Sequence, residues 1–298
     1  MPFWACEVKR KNLCGGGDMK LGWIGAGSLG KAMLERLLGE GWKPLVWNRT
    51  PEKLKDLKVE KASCPEEVLR ESEVVALCLH DSSAVREVLE RLVGKGLHGK
   101  ILVDFTTNHF EEVVSFHEMV SHAEGSYLES PVLGSVIPAS RGELTILVSG
   151  EEGPFRRVQP LLECLGRKIF FFSEPGKASR FKLVNNLVLG GFLAVLSEAV
   201  ALAEELGFDR SETLEVLENG AGRSLVLSAK KAKFLNEDFS PHFSVKNMLK
   251  DLDYLSEMAR KAGKPLPIIS EIRELYRSAF RRDPEKDFLL VWKVLREL

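Results

Sequence analysis

Cysteine is scarce and follows no motif. The five cysteines, at 6, 14, 64, 78 and 164, are odd in number and none forms a C-x-x-C pair. This excludes a disulfide framework and fits a reducing compartment, the cytoplasm. No His/Cys cluster has zinc-ligand spacing, so no metal is expected. An excess of either charge is also missing. Lys+Arg is 42 and Asp+Glu is 43, a net charge of −1, which leaves neither nucleic acid nor an anionic membrane as a main partner. The longest apolar stretch, Leu187–Leu196, is about half of what a membrane span needs. Residues 1–18 lack a signal-peptide apolar core and read as a leader, an upstream start or a disordered tail.

What the chain does have is alternation. Apolar residues make up 44% of the 298 residues, enough for a sizeable core. Apolar runs at Leu21–Ile24, Leu45–Trp47, Val74–Leu79, Ile101–Phe105, Tyr127–Val132, Leu144–Ser149 and Lys168–Phe172 read as strands. Amphipathic stretches between them, among them Ser83–Val93, Glu111–His122 and Glu152–Leu165, read as helices. Strand and helix in turn predict a Rossmann-type, doubly wound α/β domain over 19–178. From 179 to 298 no strand is expected. A long apolar helix over Phe181–Leu206 joins an all-helical domain, with further helices at Ser211–Asn219, Leu225–Leu235, Val245–Ala262, Leu266–Arg281 and Asp287–Leu298. An all-round apolar helix must be covered on most sides.

The first βαβ unit carries the sharpest signal. After the first strand comes Gly25-Ala26-Gly27-Ser28-Leu29-Gly30, and then an amphipathic helix. In G-x-G-x-x-G the first glycine allows the tight turn. The second lets the backbone approach a pyrophosphate, and the third lets helix and sheet pack closely. The pyrophosphate then sits on free N–H groups at the helix N-terminus. An NAD site usually places an acid after the second strand, to hold the ribose 2′-hydroxyl. Here that strand ends in Asn48-Arg49-Thr50. A carboxylate repels a 2′-phosphate, whereas a guanidinium binds it bidentately. NADP(H) is therefore expected ahead of NAD(H), unless Arg49 is only a solvated loop residue.

Where the α/β pattern ends, the chain reads Gly176-Lys177-Ala178-Ser179-Arg180-Phe181-Lys182-Leu183-Val184-Asn185-Asn186. Lys182 and Asn186 share a helix face and are polar in apolar surroundings. Spacing alone also allows a solvated lysine and an asparagine satisfying backbone. A loop at 129–144, Glu129-Ser130-Pro131-Val132-Leu133-Gly134-Ser135-Val136-Ile137-Pro138-Ala139-Ser140-Arg141-Gly142-Glu143-Leu144, and Lys250-Asp251-Leu252 complete the set. With these four motifs in order, the sequence from Met19 onward resembles the β-hydroxyacid dehydrogenase family. That family includes 3-hydroxyisobutyrate dehydrogenases and glyoxylate/succinic semialdehyde reductases.

The resemblance implies the following roles. Lys182 is the catalytic lysine, an acid and base for the reacting oxygen, and Asn186 orients it or the substrate. Leu79-His80 and Thr107 lie by the cofactor, and Lys250 reaches it. Thr107, Leu133, Gly134, Ser135, Phe243 and Asp251 contact the substrate together with Lys182 and Asn186. Without the resemblance, Thr107 reads as a helix cap, His80 as a solvated loop residue and Phe243 as core. One departure matters: Leu133 stands where the family has a carboxylate-binding serine. The implied reaction interconverts a small aldehyde or oxo acid and its hydroxy acid with NADPH, most similarly to the glyoxylate/succinic semialdehyde reductases. A 3-hydroxyisobutyrate dehydrogenase is the alternative. An imine reductase fits less well, since that group usually lacks the lysine. A catalytically silent NADP-binding protein on the same fold stays open because of Leu133. A homodimer or homotetramer is expected.

Overall fold

A computed structural model describes residues 3–7 and 19–298. The chain divides into two compact units, Met1–Lys182 and Leu183–Leu298. The division falls four residues beyond the boundary expected from sequence, inside one continuous helix.

The first unit opens with β1 (Phe3–Glu7), followed after residue 18 by β2 (Leu21–Ile24), α1 (Ser28–Gly39), β3 (Leu45–Trp47) and β4 (Glu60–Lys61). Next come α2 (Pro65–Glu71), β5 (Val74–Leu77), α3 (Ser82–Leu92), β6 (Ile101–Asp104) and α4 (Glu112–His122). The unit ends with β7 (Ser126–Glu129), β8 (Val132–Leu133), α5 (Val136–Ser140), β9 (Leu144–Ser149), α6 (Glu152–Leu165) and β10 (Gly166–Phe172). The strands form one sheet in the order β1-β10-β9-β7-β6-β5-β2-β3-β4, with β8 paired to β9. From β4 across to β7 all neighbours are parallel. Central strands are apolar on both sides; β5 is Val-Val-Ala-Leu with every residue buried, as a sheet covered on both faces requires. Trp23, Ala76 and Val103 enter one core cluster with residues of α1 and α6. Ile24, Val75 and Leu102 enter the other with residues of α2, α3 and α4. Chain direction along the sheet reverses beside β2, which lies between β3 and β5. In open α/β sheets ligands bind in the crevice outside the strand ends at such a switch point.

The sequence reading assigned residues 1–18 to a leader. Phe3–Glu7 instead pair antiparallel with β10, Ala5 opposite Phe170; the rest of that leader lies outside the described residues. The single strand expected over Tyr127–Val132 is two, β7 and β8. Pro131 interrupts it, because proline has no N–H for the ladder; its carbonyl still accepts from Leu147 N–H at 3.0 Å. The loop expected at 129–144 contains the short helix α5.

The joining helix α7 runs Lys177–Glu205. It is long and apolar enough by length and composition to cross a bilayer. It is, however, the core helix of the second unit, where Gly190 admits the Met248 sulfur and Tyr276 donates to the Gly190 carbonyl at 3.2 Å. The helices α8 (Arg210–Asn219), α9 (Leu225–Asn236), α10 (Val245–Lys261), α11 (Pro267–Arg282) and α12 (Leu290–Leu295) follow. The last is shorter than the Asp287–Leu298 expected. Asp287 is spent outside it, accepting from Lys230 Nζ at 2.6 Å and from the backbone N–H of His242 at 2.9 Å.

Candidate active site

In the first unit the glycine turn has the geometry its spacing predicts. Gly25 has φ +103°, and a Cβ there would lie 2.4 Å from the Cys78 carbonyl oxygen. A Cβ on Gly30 would lie 2.5 Å from the Gly25 carbonyl oxygen. At Gly27 a Cβ would meet nothing within 4 Å. Gly25 and Gly30 are therefore required by the protein itself, whereas Gly27 leaves open space. Gly27 is the N-cap of α1 and supplies no side-chain cap, so the first-turn N–H groups face outward beside exposed Gly27 and Ser28. That concavity fits a pyrophosphate held by backbone N–H groups.

The strand ends around the turn are tied to it. Asn48 Oδ1 accepts the Ala26 N–H at 2.8 Å, and Asn48 Nδ2 donates to the Thr50 carbonyl at 2.7 Å. Asn48 thus braces the turn from within. Arg49 is exposed and lies 3.8 Å from Glu87, an ion pair too weak at the surface to hold it. Leu79 N–H donates to Thr106 Oγ1 at 3.0 Å. Exposed His80 lies 3.9 Å from the Asp81 carboxylate.

Beneath these loops lies a buried network that the sequence reading missed. Asp104, wholly buried, accepts from Thr106 N–H at 2.9 Å, Asn108 Nδ2 at 2.6 Å and Tyr127 OH at 2.5 Å. Burial raises its pKa. Ser82 Oγ donates to Asn108 Oδ1 at 3.3 Å and accepts from His109 N–H at 2.7 Å. The network fixes the loop after β6, which carries half-buried Thr107, to the start of α3. An acid at the end of a buried strand was the available signal; Thr106 and Asn108 lie within four residues of it, whereas Tyr127 is 23 residues on.

The loop after β7 is also shaped by glycine. Gly134 has φ +125°, and a Cβ there would lie 2.8 Å from Leu144 Cδ2. Ser135 is the N-cap of α5 without a side-chain cap bond. Leu133 packs against Leu147, Phe172 and Ala178. Its place on that apolar cluster gives a physical reason for leucine where the family has serine.

Lys182 ends the first unit and is 6% exposed. Its helix begins against Glu129, which is wholly buried. Burial pushes the Glu129 carboxyl up to about 7, while bonds from Ser179, Ser149 and the backbone of Gly176 and Ala178 oppose the rise. A carboxyl raised in the folded state contributes stability that is complete below about 4.5 and lost as pH rises through about 7. Between pH 5 and pH 8 the native protein is thus expected to lose on the order of 2–3 kcal/mol relative to Glu129→Gln. Thermal unfolding of both at the two pH values checks this; parallel changes in the two proteins would refute it.

In the second unit, Asn186 Nδ2 donates to Asp251 Oδ2 at 2.5 Å, and Lys250 Nζ lies 2.8 Å from Asp251 Oδ1. That second approach is a charge contact without hydrogen-bond alignment. Asp251 is 1% exposed, so its carboxylate holds Asn186 and Lys250. This is a task the sequence reading, which assigned it to substrate, did not foresee. Lys250 also lies over the Tyr254 ring, 5.0 Å from its centroid. Half-buried Phe243 packs edge-on against Phe288 at 5.6 Å, and its N–H donates to Asp287 at 3.3 Å.

A doubly wound sheet with an open glycine turn at its switch point defines a dinucleotide-binding protein. Comparison with known proteins narrows this. Residues 20–173 match the NAD-binding domain of 6-phosphogluconate dehydrogenase, and 176–295 match the NAD-binding segment of NADP-dependent 3-hydroxyisobutyrate dehydrogenase. The chain is 30% identical to cytokine-like nuclear factor N-PAC of Xenopus tropicalis, over 88% of this chain and 50% of that one. It therefore spans about half the length of the N-PAC relatives it matches. It is 28% identical to glyoxylate/succinic semialdehyde reductase 1 of Arabidopsis thaliana, over 88% and 92% of the two chains. A solved structure, Psf3 in complex with NADP+ and 2-OPP, superposes with a TM-score of 0.85 at 27% identity, over 92% and 99% of the two chains. The chain belongs to the β-hydroxyacid dehydrogenase family, and a nicotinamide dinucleotide is its cofactor.

Proposed function

We propose that this protein is an NADPH-dependent oxidoreductase interconverting a small aldehyde or oxo acid and its hydroxy acid. The observation that carries the reading is Lys182, a buried lysine one helical turn from Asn186, whose amide is held by Asp251. The bound nicotinamide supplies the hydride. The chain supplies the proton. As charge grows on the carbonyl oxygen, the Lys182 ammonium stabilises it and donates; in the oxidative direction the amine takes the proton back. Asn186 orients that exchange. Thr107 and the backbone N–H groups of Gly134 and Ser135 hold the substrate in the first unit. Phe243 takes its substrate role from the family resemblance alone.

NADPH is preferred because Arg49 stands exposed where an acid would repel a 2′-phosphate. The match to NADP-dependent 3-hydroxyisobutyrate dehydrogenase and the NADP+ in Psf3 support this. Arg49→Asp is expected to lower the NADPH-to-NADH ratio of kcat/KM by about 10–100-fold, the worth of a charge-assisted bond. An unchanged ratio would remove the argument.

Glyoxylate and succinic semialdehyde are the first substrates to try, on the likeness to the Arabidopsis reductase. Methylmalonate semialdehyde tests the 3-hydroxyisobutyrate dehydrogenase alternative. NADPH consumption on the three, repeated with NADH, decides among them. Leu133→Ser restores a hydroxyl and is expected to lower KM for glyoxylate by about tenfold. Leu133, turned into an apolar cluster, also favours a second reading, a protein that binds NADP without turnover. NADPH binding with silence on the whole panel supports that one.

The chain works in the cytoplasm as a homodimer or homotetramer. Val188, Phe192, Val195 and Leu202 of α7, and Leu206 just after it, are exposed apolar residues that a second copy would cover. Light scattering after size exclusion measures the assembly.

A further inference from the structure

The helix that carries Lys182 is built onto one acid. Glu129, at the end of β7, accepts the Ser179 hydroxyl on Oε2 at 2.5 Å and the Ala178 N–H on Oε1 at 3.3 Å. Ser149, its antiparallel partner on β9, accepts the same Ala178 N–H at 2.9 Å. The first turn of α7 is thereby fastened to two adjoining strand ends of a rigid sheet. Before it, Gly176 has φ +82°, and a Cβ there would lie 2.9 Å from Val114 Cγ2, so the entry into the helix is sterically set as well.

At about 100° per residue, Lys182 lies one turn above Ala178 and Ser179, between them in azimuth. Asn186 follows one turn further on the same stripe. Ala178, Ser179, Lys182 and Asn186 are all buried. Ala178 also receives Leu133 of the substrate loop. The acid therefore sits beneath the place where the substrate loop and the lysine's helix meet, and any shift of the first turn carries Lys182 with it. Here a buried carboxylate takes a hydroxyl and a backbone donor, and its strand partner takes the backbone donor too.

We propose that Glu129 is a positioning residue for Lys182, setting the rotation and axial place of the first turns of α7. The inference rests on the reading of Lys182 as proton donor and acceptor, and the controls separate the two. The experiment uses the full chain with Glu129→Gln, Glu129→Ala, Ser179→Ala and Lys182→Ala. It measures kcat, KM, the Kd of NADPH, and amide hydrogen exchange across 177–186. Glutamine keeps the first turn in place, its amide oxygen accepting from Ala178 N–H and its amide group donating to Ser179 Oγ. Glu129→Gln is therefore expected to hold kcat within about threefold. Glu129→Ala is expected to lose up to about 100-fold in kcat, the cost of an ångström-scale misplacement, with KM and the NADPH Kd nearly unchanged. Exchange over 177–186 quickens in that variant and not in Glu129→Gln. Ser179→Ala falls between them and carries the test if Glu129→Ala does not fold.

A folded Glu129→Ala with wild-type kcat and wild-type exchange overturns the proposal. So does a loss of NADPH binding in parallel with kcat, which marks a general structural role. If Lys182→Ala keeps full turnover, the reading of Lys182 fails by itself, whatever Glu129 does. If nothing on the substrate panel turns over, exchange decides alone, and unchanged exchange in Glu129→Ala overturns the proposal.

Discussion

Lys182→Ala is expected to lower kcat by about 10²–10⁴-fold, the usual worth of a positioned acid and base. The Kd of NADPH should stay within a few-fold, because the glycine turn and the braces around it are built from other residues. The physical case is the lysine's setting. A surface lysine moves freely among rotamers and water. Lys182 is only 6% exposed, in a helix whose start is fastened to Glu129 and Ser149. Few arrangements are open to it, so the reorganisation needed when charge develops on a substrate oxygen is small. Steady-state kinetics in both directions, with circular dichroism to verify folding, make the test. A folded Lys182→Ala with near-native kcat would rule the assignment out.

The second large effect separates two glycines of one motif. Gly25→Ala forces a side chain into φ +103° and places its Cβ 2.4 Å from the Cys78 carbonyl oxygen. Strain and backbone clash together should cost about 3 kcal/mol or more. Gly27→Ala meets nothing within 4 Å at φ −68°, which any residue adopts. Stability without cofactor should then change by less than about 0.5 kcal/mol. The new methyl group stands instead where the pyrophosphate must approach. The Kd of NADPH should rise about tenfold or more, some 1.4 kcal/mol. Thermal unfolding without cofactor and titration with NADPH measure the two effects. If Gly27→Ala bound NADPH as tightly as the native chain, the placement of the pyrophosphate on this turn would be refuted. If Gly25→Ala were as stable as native, the geometric role of that glycine would be.

Much of the fold was legible because local pattern and burial agree. The strand at 74–77 is apolar throughout because both faces of the sheet are covered. The helix at 152–165 has matching ends in sequence and structure, with one apolar face. Reading failed where distant partners override local signals. The start of α7 was expected at Phe181. It begins at Lys177, since Glu129 and Ser149, far back in the chain, receive its first turn. The last helix was expected from Asp287. It begins at Leu290; Asp287 stands ahead of it, its carboxylate shared among Lys230, the 242–243 backbone and the Leu289 N–H.

The site divides in the same way. Sequence alone determined the dinucleotide turn, the absence of an acid after the second strand, and the K-x-x-x-N stripe. Each is a local arrangement of backbone freedom, charge or helical spacing, and needs no distant partner. Tertiary structure alone decided that Asn48 braces the turn, that Leu133 covers an apolar cluster, and that Asp251 holds Asn186. It also decided that Asp104 and Glu129 are buried acids organising the loops and the helix start. The bonds of Asn48 to the turn, of Asp104 to Tyr127, of Glu129 to Ser179 and of Asp251 to Asn186 span 22 to 65 residues. A carboxylate's role depends on which donors reach it and whether water does, and burial and partners exist only once the chain has folded.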